Sequence, residues 1–483
     1  MNSLKRKFIT NLGLVLFLNL LIKPFWIFGI DRTVQNVVGA EQYGFYFALF
    51  NFSLILNILL DLGITNFNSR NIAQHNHLLN KHFSNIIILR ALLGAVYFIV
   101  SLTIAWLSNY QWDQIKLLLI LVFNQFLASF IMYLRSNLSG LHLFKTDSII
   151  SVLDRTLMII FCSFLLWGHI TEEPFQIKWF AMAQTAAYAI TALIAFALVL
   201  WRSGKIRIRF DWHFSMAILK KSYPYALLIL LMAFYNRVDS VMLERLLPDG
   251  SKQAGIYAQA FRILDAASMF SLLFAGLLLP MFSKMIKQKE PVGQLVLLSF
   301  ILIVIPSIIL SVTCAFYNNE LMVLMYHSHI ESSAVIFSIL MFGYIPISMT
   351  YIFGTLLTAN GSLRALNLMA LAGMVLNVIL NLILIPRYQV LGSAVSSLLT
   401  QSITAFIQIV LAFRIFKLHI NYKLIILLLI FAAGVVLFGV ISKDLPYNWM
   451  LTMVLMVTLS IIWAFSTGLI KIKNIYQIIK NDK

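Results

Sequence analysis

Charged residues are scarce in this sequence. Only 11% of its 483 residues are Asp, Glu, Lys or Arg, against about 25% in ordinary soluble domains. No stretch between its apolar runs is long enough for a soluble domain, which excludes a separate extramembrane enzyme or binding domain. The two cysteines, Cys162 and Cys314, both lie inside apolar runs. A disulfide framework or a cysteine metal cluster is therefore not expected.

Short catalytic motifs are missing as well. The sequence has no GxxxxGKS/T phosphate loop, no GxSxG elbow and no HExxH helix. The sequence therefore gives no support for ATP hydrolysis by this chain, for serine-hydrolase chemistry or for zinc-protease chemistry. We expect no cofactor, no metal and no enzymatic activity.

Long apolar runs take the place of these features. Hydrophobic residues make up 61% of the chain, and the mean hydropathy is +0.89. A helix needs about 20 apolar residues to cross the hydrocarbon core, and runs of this length suit helices rather than barrel strands. The first run lacks a small-residue cleavage site, so we expect it to remain as a span. The sequence predicts an all-α polytopic membrane protein with fourteen spans: 8–30, 42–66, 84–108, 114–139, 148–168, 176–201, 221–247, 254–282, 293–316, 331–358, 366–386, 391–413, 423–442 and 448–470.

The net charge of +18 follows from where the basic residues lie. An even number of spans puts both termini on one side, and most loop Lys and Arg fall on that side, including Arg202, Lys205, Lys284 and Lys287. This is the positive-inside pattern, which predicts that both termini are cytoplasmic. Topology and contact with anionic lipid headgroups account for the basicity, so no nucleic-acid partner is expected.

Two pairs of stretches repeat at a nearly constant offset. AEQYGFYFALF (40–50) aligns with SKQAGIYAQAF (251–261) at an offset of 211, and ITALIAF (190–196) aligns with ITAFIQI (403–409) at 213. Chance similarity between apolar hairpins is the alternative. The offset predicts two six-helix lobes, 1–210 and 211–420, followed by two helices and a tail in 421–483. Lobes with an even number of spans would be related by an axis along the membrane normal, as in transporters that rock two halves.

Several charges fall deep inside the predicted spans, where a charge is usually paired or faces water. The deep ones are Lys23, Asp61, Arg90, Asp154, Arg155, Arg237, Asp239, Arg262 and Asp265. Arg135 and the neighbouring Glu244 and Arg245 lie closer to span ends, where snorkelling to the interface is expected. The structural alternative is that the deep charges only link neighbouring helices to each other.

Partners can be predicted for some of these charges by comparing how deep they lie in the membrane on the two helices of a hairpin, which we call depth matching. Across the predicted hairpin of spans 221–247 and 254–282, Asp239 lies level with Arg262, so we predict a structural ion pair between them. Arg237 is two residues from Asp239 and points about 200° away, toward an internal polar space.

The repeat offset adds a third cation, because it places Lys23 near the depth of Arg237. We therefore predict that Lys23, Arg237 and Arg262 bind an anionic group such as a diphosphate. Asp61 or Asp265 is predicted to couple transport to an ion.

Motifs along most of the chain resemble those of Wzx-type flippases. They include NRVDSVMLERL (236–246), AGIYAQAFRI (254–263), ILNLILIP (379–386), LGSAVSS (391–397) and VGAEQYGFYFALFNF (38–52). The resemblance implies the multidrug/oligosaccharidyl-lipid/polysaccharide (MOP) exporter fold, with two lobes and alternating access. It also implies a bacterial inner-membrane protein that flips a polyprenyl-diphosphate-linked oligosaccharide from the cytoplasmic to the periplasmic leaflet. A lipid-tail groove at the last two helices and cooperation with a polysaccharide polymerase and other assembly proteins are further implications.

Three alternative functions stay open at this point. A multidrug exporter of the same fold would be expected to use an acidic cavity for cationic drugs. A membrane-embedded polymerase or glycosyltransferase would be expected to carry a large outer loop or an acidic metal-binding loop, and neither is evident. A membrane scaffold would not explain the deep charges.

Overall fold

The computed structural model describes residues 18–19, 21–65, 68, 72, 78–141, 143–168, 173–203, 211–419 and 421–469. The regular elements among them are helices, which confirms the predicted all-α class. A π-helical turn (Trp26–Asp31) comes first, and a 3-10 turn (Asn57–Leu60) follows the first α-helix. The α-helices are α1 (Arg32–Ile55), α2 (Leu78–Leu107), α3 (Trp112–Gly140), α4 (Phe144–Trp167), α5 (Ile177–Ser203), α6 (Trp212–Leu246), α7 (Gly250–Lys287), α8 (Gly293–Phe316), α9 (Asn318–Met325), α10 (Ile330–Ala359), α11 (Leu363–Phe416), α12 (Tyr422–Asp444) and α13 (Trp449–Ser466).

Among the described residues, eleven helices are long and apolar enough to cross a membrane, so the chain is a multi-pass membrane protein. The longest, α11, has 54 residues and would reach about 80 Å if straight. Its backbone leaves the helical region at Gln389 (φ 51°), three residues after Pro386. With α11 counted as two arms, these helices correspond one to one to the predicted spans from 84–108 through 448–470.

The N-terminal region differs from the prediction in its helix limits. Lys23 and Pro24 lie in a helical segment, and the π-helical turn begins two residues after Pro24, consistent with the backbone bond that proline removes. The predicted span 42–66 is wrong in extent, because α1 runs from Arg32 to Ile55 with a break at Gly39 (φ 79°). Gly63 then turns the chain at φ 85°, where a Cβ would meet Ser222 Cβ at 2.9 Å.

The described residues form two compact units that divide after Gly255. In the first unit, α1 packs against α6 and α3, while α5 packs against α3 and α4. Its core is aromatic: Trp26 stacks on Phe180 at 5.7 Å, and Gln184 donates to the Tyr46 hydroxyl at 2.7 Å. The predicted lobe limits stay a prediction. Residues 204–210 at the predicted boundary, and both chain ends at 1–17 and 470–483, lie outside the described residues.

In the second unit, α10 packs against α11 and α8, and α12 packs against α13 and α8. The Tyr317 hydroxyl contacts both of the last two helices, at 2.8 Å from Ser442 Oγ and 3.0 Å from Thr452 Oγ1. At Gly434, a Cβ would lie 2.2 Å from Trp463 Nε1. The last two helices are therefore closely packed on each other and tied to the end of α8.

Candidate functional site

The first predicted span and α4 are linked by a polar contact. Asn19 Nδ2 donates to Ser151 Oγ at 3.3 Å. One helical turn further along each segment lie Lys23 and Arg155, which share a level if the two segments run in the same direction. The guanidinium of Arg155 lies 5.7 Å from the Trp26 ring, seven residues after Asn19. This contact supports the parallel arrangement and places Lys23 beside Arg155.

Arg155 lies between two aromatic rings. Its guanidinium carbon is 5.7 Å from the Trp26 ring and 5.8 Å from the Tyr188 ring. Its Nε lies 3.7 Å from a carboxylate oxygen of the adjacent Asp154. Cation–π contacts of this kind orient a guanidinium without cancelling its charge. A half-buried cation is thus held in a defined position inside the membrane span.

Other charges surround this pair. Lys23 is close enough to Arg155, Asp154 and Arg135 to interact with them electrostatically, and Arg135 Nε donates to Asp147 Oδ1 at 2.7 Å. We call Lys23, Arg135, Arg155, Asp147 and Asp154 the basic cluster; it has three cations and two carboxylates. The sequence identified Asp154, Arg155 and Arg135 as charges in the predicted spans, but within this cluster it assigned a substrate-binding role only to Lys23.

Asp61 is held in the turn after α1. Its carboxylate accepts the backbone N–H groups of Gly63 and Thr65, each at 3.1 Å, and also contacts the Thr65 hydroxyl. Arg90 Nη2 forms an ion pair with the same carboxylate. The ion-coupling role predicted for Asp61 stays a prediction; the observed partners describe a structural tie between the turn and α2.

Arg237 and Asp239 lie within one turn of α6 in the first unit. Asp239 is buried and Arg237 is half-buried, in agreement with side chains that point in different directions. Ser240, three residues after Arg237 and therefore on a similar face of α6, is buried and accepts a hydrogen bond from Asn51 Nδ2 of α1 at 2.9 Å. At Ser240 this face is therefore in contact with α1.

Arg262 and Asp265 lie in α7 within the second unit, and both are half-buried. Gln259, one turn before Arg262, is buried. Its carbonyl accepts from the Tyr326 hydroxyl at 3.1 Å, and its Nε2 lies 3.4 Å from the Ser328 carbonyl. The predicted ion pair between Asp239 and Arg262 and the predicted coupling role of Asp265 stay predictions.

Hydrogen bonds and a cation–π contact connect the end of α6 to the turn between α2 and α3 and to the start of α3. Arg245 forms two hydrogen bonds to Glu244, at 2.6 and 3.2 Å, and donates to the Ser108 carbonyl at 3.1 Å. Its guanidinium lies 3.7 Å from the Tyr110 ring centre, and Gln114 donates to Glu244 at 2.7 Å. Burial raises the pKa of the Tyr110 phenol to about 12, so the ring stays neutral. We call Ser108, Tyr110, Gln114, Glu244 and Arg245 the α6 latch; the sequence predicted only snorkelling here.

An apolar cavity of about 530 Å³ lies in the second unit, between α7, α8, α10 and α13. Its lining includes Ala267, Phe270, Pro306, Tyr344, Ile461 and Phe465. The volume falls in the range of ordinary small-molecule sites, roughly 300–1,000 Å³. Its apolar lining favours an apolar ligand.

Metal ligands do not converge in the part of the chain that the structure describes, where no group of three or more His, Cys, Asp or Glu side chains could hold an ion. His327 and His329 flank the Ser328 carbonyl that Gln259 approaches. The basic cluster and the apolar cavity are the two candidate sites among the described residues.

Comparison with known proteins gives a family and a fold. A family model described as "Polysaccharide biosynthesis protein" matches residues 27–286. A multidrug resistance MATE transporter of the MOP superfamily, solved facing inward, has a TM-score of 0.67 at 13% identity, covering 81% of this chain and 94% of that one. The lipid II flippase MurJ, in an inward closed conformation, has a TM-score of 0.66 at 15% identity, covering 98% of this chain and 100% of that one.

A sequence relative is also found among curated proteins. An uncharacterized membrane protein of Methanocaldococcus jannaschii is 26% identical over 211 residues, which are 43% of this chain and 48% of that protein. The match thus spans about half the length of that relative.

Proposed function

Since this chain belongs to the polysaccharide biosynthesis protein family, whose model matches more than half of it, we propose that it flips a polyprenyl-diphosphate-linked oligosaccharide for cell-surface polysaccharide synthesis. The family and the fold confirm the predicted relationship to the MOP superfamily. In this proposal the substrate moves from the cytoplasmic to the periplasmic leaflet of a bacterial inner membrane by alternating access. Both termini are cytoplasmic, and the protein acts as a transporter among membrane lipids, a polymerase and other assembly proteins.

The basic cluster is the observation that carries the proposal. Lys23, Arg135 and Arg155 lie near Asp147 and Asp154 within membrane helices, where charged side chains often mark a substrate pathway. Guanidinium groups bind phosphate oxygens in pairs, so the two arginines and the lysine suit a diphosphate. Arg237 and Arg262 remain the proposed cations beyond this cluster, as the sequence predicts.

The apolar cavity is an observation in favour of a substrate with a lipid component. Its wall includes Ile461 and Phe465 of α13, one of the two helices at which the family resemblance implies a lipid-tail groove. An isoprenoid chain has no polar groups to satisfy, so an apolar wall suits it. We propose that a segment of the polyprenyl tail occupies this cavity.

The experiment that tests the function is a flipping assay in proteoliposomes of phosphatidylethanolamine and phosphatidylglycerol. The probe is undecaprenyl-diphosphate-linked N-acetylglucosamine, detected by a lectin on one leaflet. We expect Lys23→Ala and Arg237→Ala each to lower the flipping rate about tenfold or more, equivalent to about 1.4 kcal/mol. Lys116→Ala is the matched control, because Lys116 lies near a helix end with its side chain 45% exposed. No flipping by the wild-type protein would contradict the proposal.

A multidrug exporter is the second candidate, favoured by the fold shared with MATE transporters. An exporter of cationic drugs would be expected to concentrate carboxylates in its cavity, whereas the basic cluster has an excess of cations. The same proteoliposomes loaded with a cationic dye separate the two functions. Dye export that the lipid-linked probe does not inhibit would favour the drug exporter.

A further inference from the structure

The two repeated stretches found in the sequence touch each other in the structure. At Gly44 of α1, a Cβ would lie 1.8 Å from the Ser251 carbonyl oxygen and 2.4 Å from the Gly255 nitrogen. At Gly255, a Cβ would lie 1.9 Å from the Ala40 carbonyl oxygen. These are backbone atoms, which cannot move aside as a flexible side chain can. The two helices therefore meet backbone to backbone, and the contact requires glycine on both sides.

The contact is reciprocal in the sense that a two-fold axis imposes. The repeat offset of 211 pairs Ala40 with Ser251 and Gly44 with Gly255. Gly44 touches Ser251, the counterpart of Ala40, and Gly255 touches Ala40 itself. The contact of Gly44 with Ser251 is thus repeated, with the two stretches exchanged, by the contact of Gly255 with Ala40. An isologous interface has the same pattern. Each stretch has two small residues four apart, the spacing that lets membrane helices approach closely.

A polar contact continues the same interface deeper into α1. Asn51 lies two turns after Gly44, and its amide donates to Ser240 of α6 at 2.9 Å. Ala48, between these two points, is fully buried. From Ala40 to Asn51, α1 is thus in contact with the end of α6 or the start of α7.

We propose that the contact of Ala40 and Gly44 with Ser251 and Gly255, here the glycine contact, is the periplasmic gate of the transport cycle. This inference rests on the proposed function and its topology, which place both stretches at predicted outer ends. Backbones in direct contact leave no passage for a glycan headgroup, so release to that side requires the two repeats to part. The four residues that define the contact have small side chains or none, so they can separate and approach again without a change of rotamer.

Glycine substitutions test the gate without any substrate. In protein carrying Cys162→Ala, Cys314→Ala and the reporter Ala48→Cys, a membrane-impermeant maleimide is added from the periplasmic side. Gly44→Ala and Gly255→Ala should each raise the labelling rate several-fold, because the added methyl group prevents closure. Gly276→Ala in α7 is the matched control, since a Cβ there meets no atom within 4 Å. Equal labelling of all variants, each shown to be monodisperse by gel filtration, would overturn the proposal.

A reversible cross-link tests whether the contact must open. Asn51→Cys with Ser240→Cys, bridged by a bifunctional methanethiosulfonate, should stop flipping of the lipid-linked probe, and dithiothreitol should restore it. The control pair is Asn318→Cys with Ser338→Cys, whose native side chains also hydrogen-bond, at 2.8 Å, but within the second unit. Full activity of the bridged Asn51→Cys/Ser240→Cys protein would overturn the gate. A wild-type protein that flips nothing would refute the proposed function alone, because the labelling result needs no substrate.

Discussion

Arg90 and Asp61 form an ion pair inside the first unit, with side-chain exposures of 3% and 22%. Arg90 also donates to the Ser129 carbonyl and hydroxyl, each at 2.9 Å, and its guanidinium lies 4.9 Å from the Tyr133 ring. A charge buried to this degree is costly unless its partners stay in place. The pair therefore joins the turn after α1 to α2 and α3.

Replacement of Arg90 by methionine should destabilise the protein severely. Arg90→Met leaves the Asp61 carboxylate without its cation, and loss of one partner of a buried pair costs about 3–5 kcal/mol. The measurement is the thermal unfolding midpoint in detergent. Lys116→Met removes the cation of an exposed pair with Asp113, whose side chains are 45% and 88% exposed, and should change the midpoint little. Equal midpoints for the two variants would contradict the structural role.

Asp61→Asn separates the structural role from ion coupling. Gly63 and Thr65 donate to different oxygens of the carboxylate, so the single amide oxygen of asparagine can accept only one of these N–H groups, and the charge that balances Arg90 is gone. We expect a lower unfolding midpoint together with an unchanged response of flipping to an imposed pH gradient. An unchanged midpoint with a lost gradient response would instead support the ion-coupling role predicted from the sequence.

The sequence was sufficient to locate most spans, because a membrane helix needs only length and apolar composition. It did not show that α1 begins at Arg32 or that the chain turns at Gly63, since Gly63 packs on Ser222, far away in the sequence. Lys23 stood out as a charge in an apolar run. Arg155 was not linked to it, because the link depends on the contact between Asn19 and Ser151, and depth matching applies only to helices joined by a short turn.

Arg155→Lys should retain part of the transport activity and Arg155→Ala should not. Lysine keeps the positive charge but lacks the planar group that lies between Trp26 and Tyr188, and it cannot bind two phosphate oxygens in parallel. The flipping assay should rank the wild type first, then Arg155→Lys, then Arg155→Ala. Unchanged activity of Arg155→Ala would remove Arg155 from the proposed diphosphate site.

Filling the apolar cavity should block the lipid-linked substrate without unfolding the protein. Ile461 is 46% exposed and lines the cavity, so Ile461→Trp adds bulk to the cavity wall, whereas Val454, 61% exposed on the same helix, is not part of the lining and Val454→Trp adds bulk outside it. We expect slower flipping for Ile461→Trp alone, with similar unfolding midpoints for both variants. Equal flipping rates would show that the polyprenyl tail does not use this cavity.

The α6 latch should depend on the geometry of Arg245 as well as its charge. Arg245 binds both oxygens of Glu244 while it covers the Tyr110 ring, and the Glu244 side chain is only 7% exposed. Arg245→Ala leaves that carboxylate without a cation, so it should lower the unfolding midpoint and speed hydrogen exchange in the turn at 108–111.

The double variant Arg245→Ala/Glu244→Ala should recover part of the lost stability, because it also removes the carboxylate that Arg245→Ala leaves without a cation. Lys252→Ala, at an exposed position six residues after the end of α6, should change neither measurement. A double variant no more stable than Arg245→Ala would mean that the hydrogen bond from Arg245 to Ser108 and its contact with Tyr110, rather than the charge pair, hold the latch.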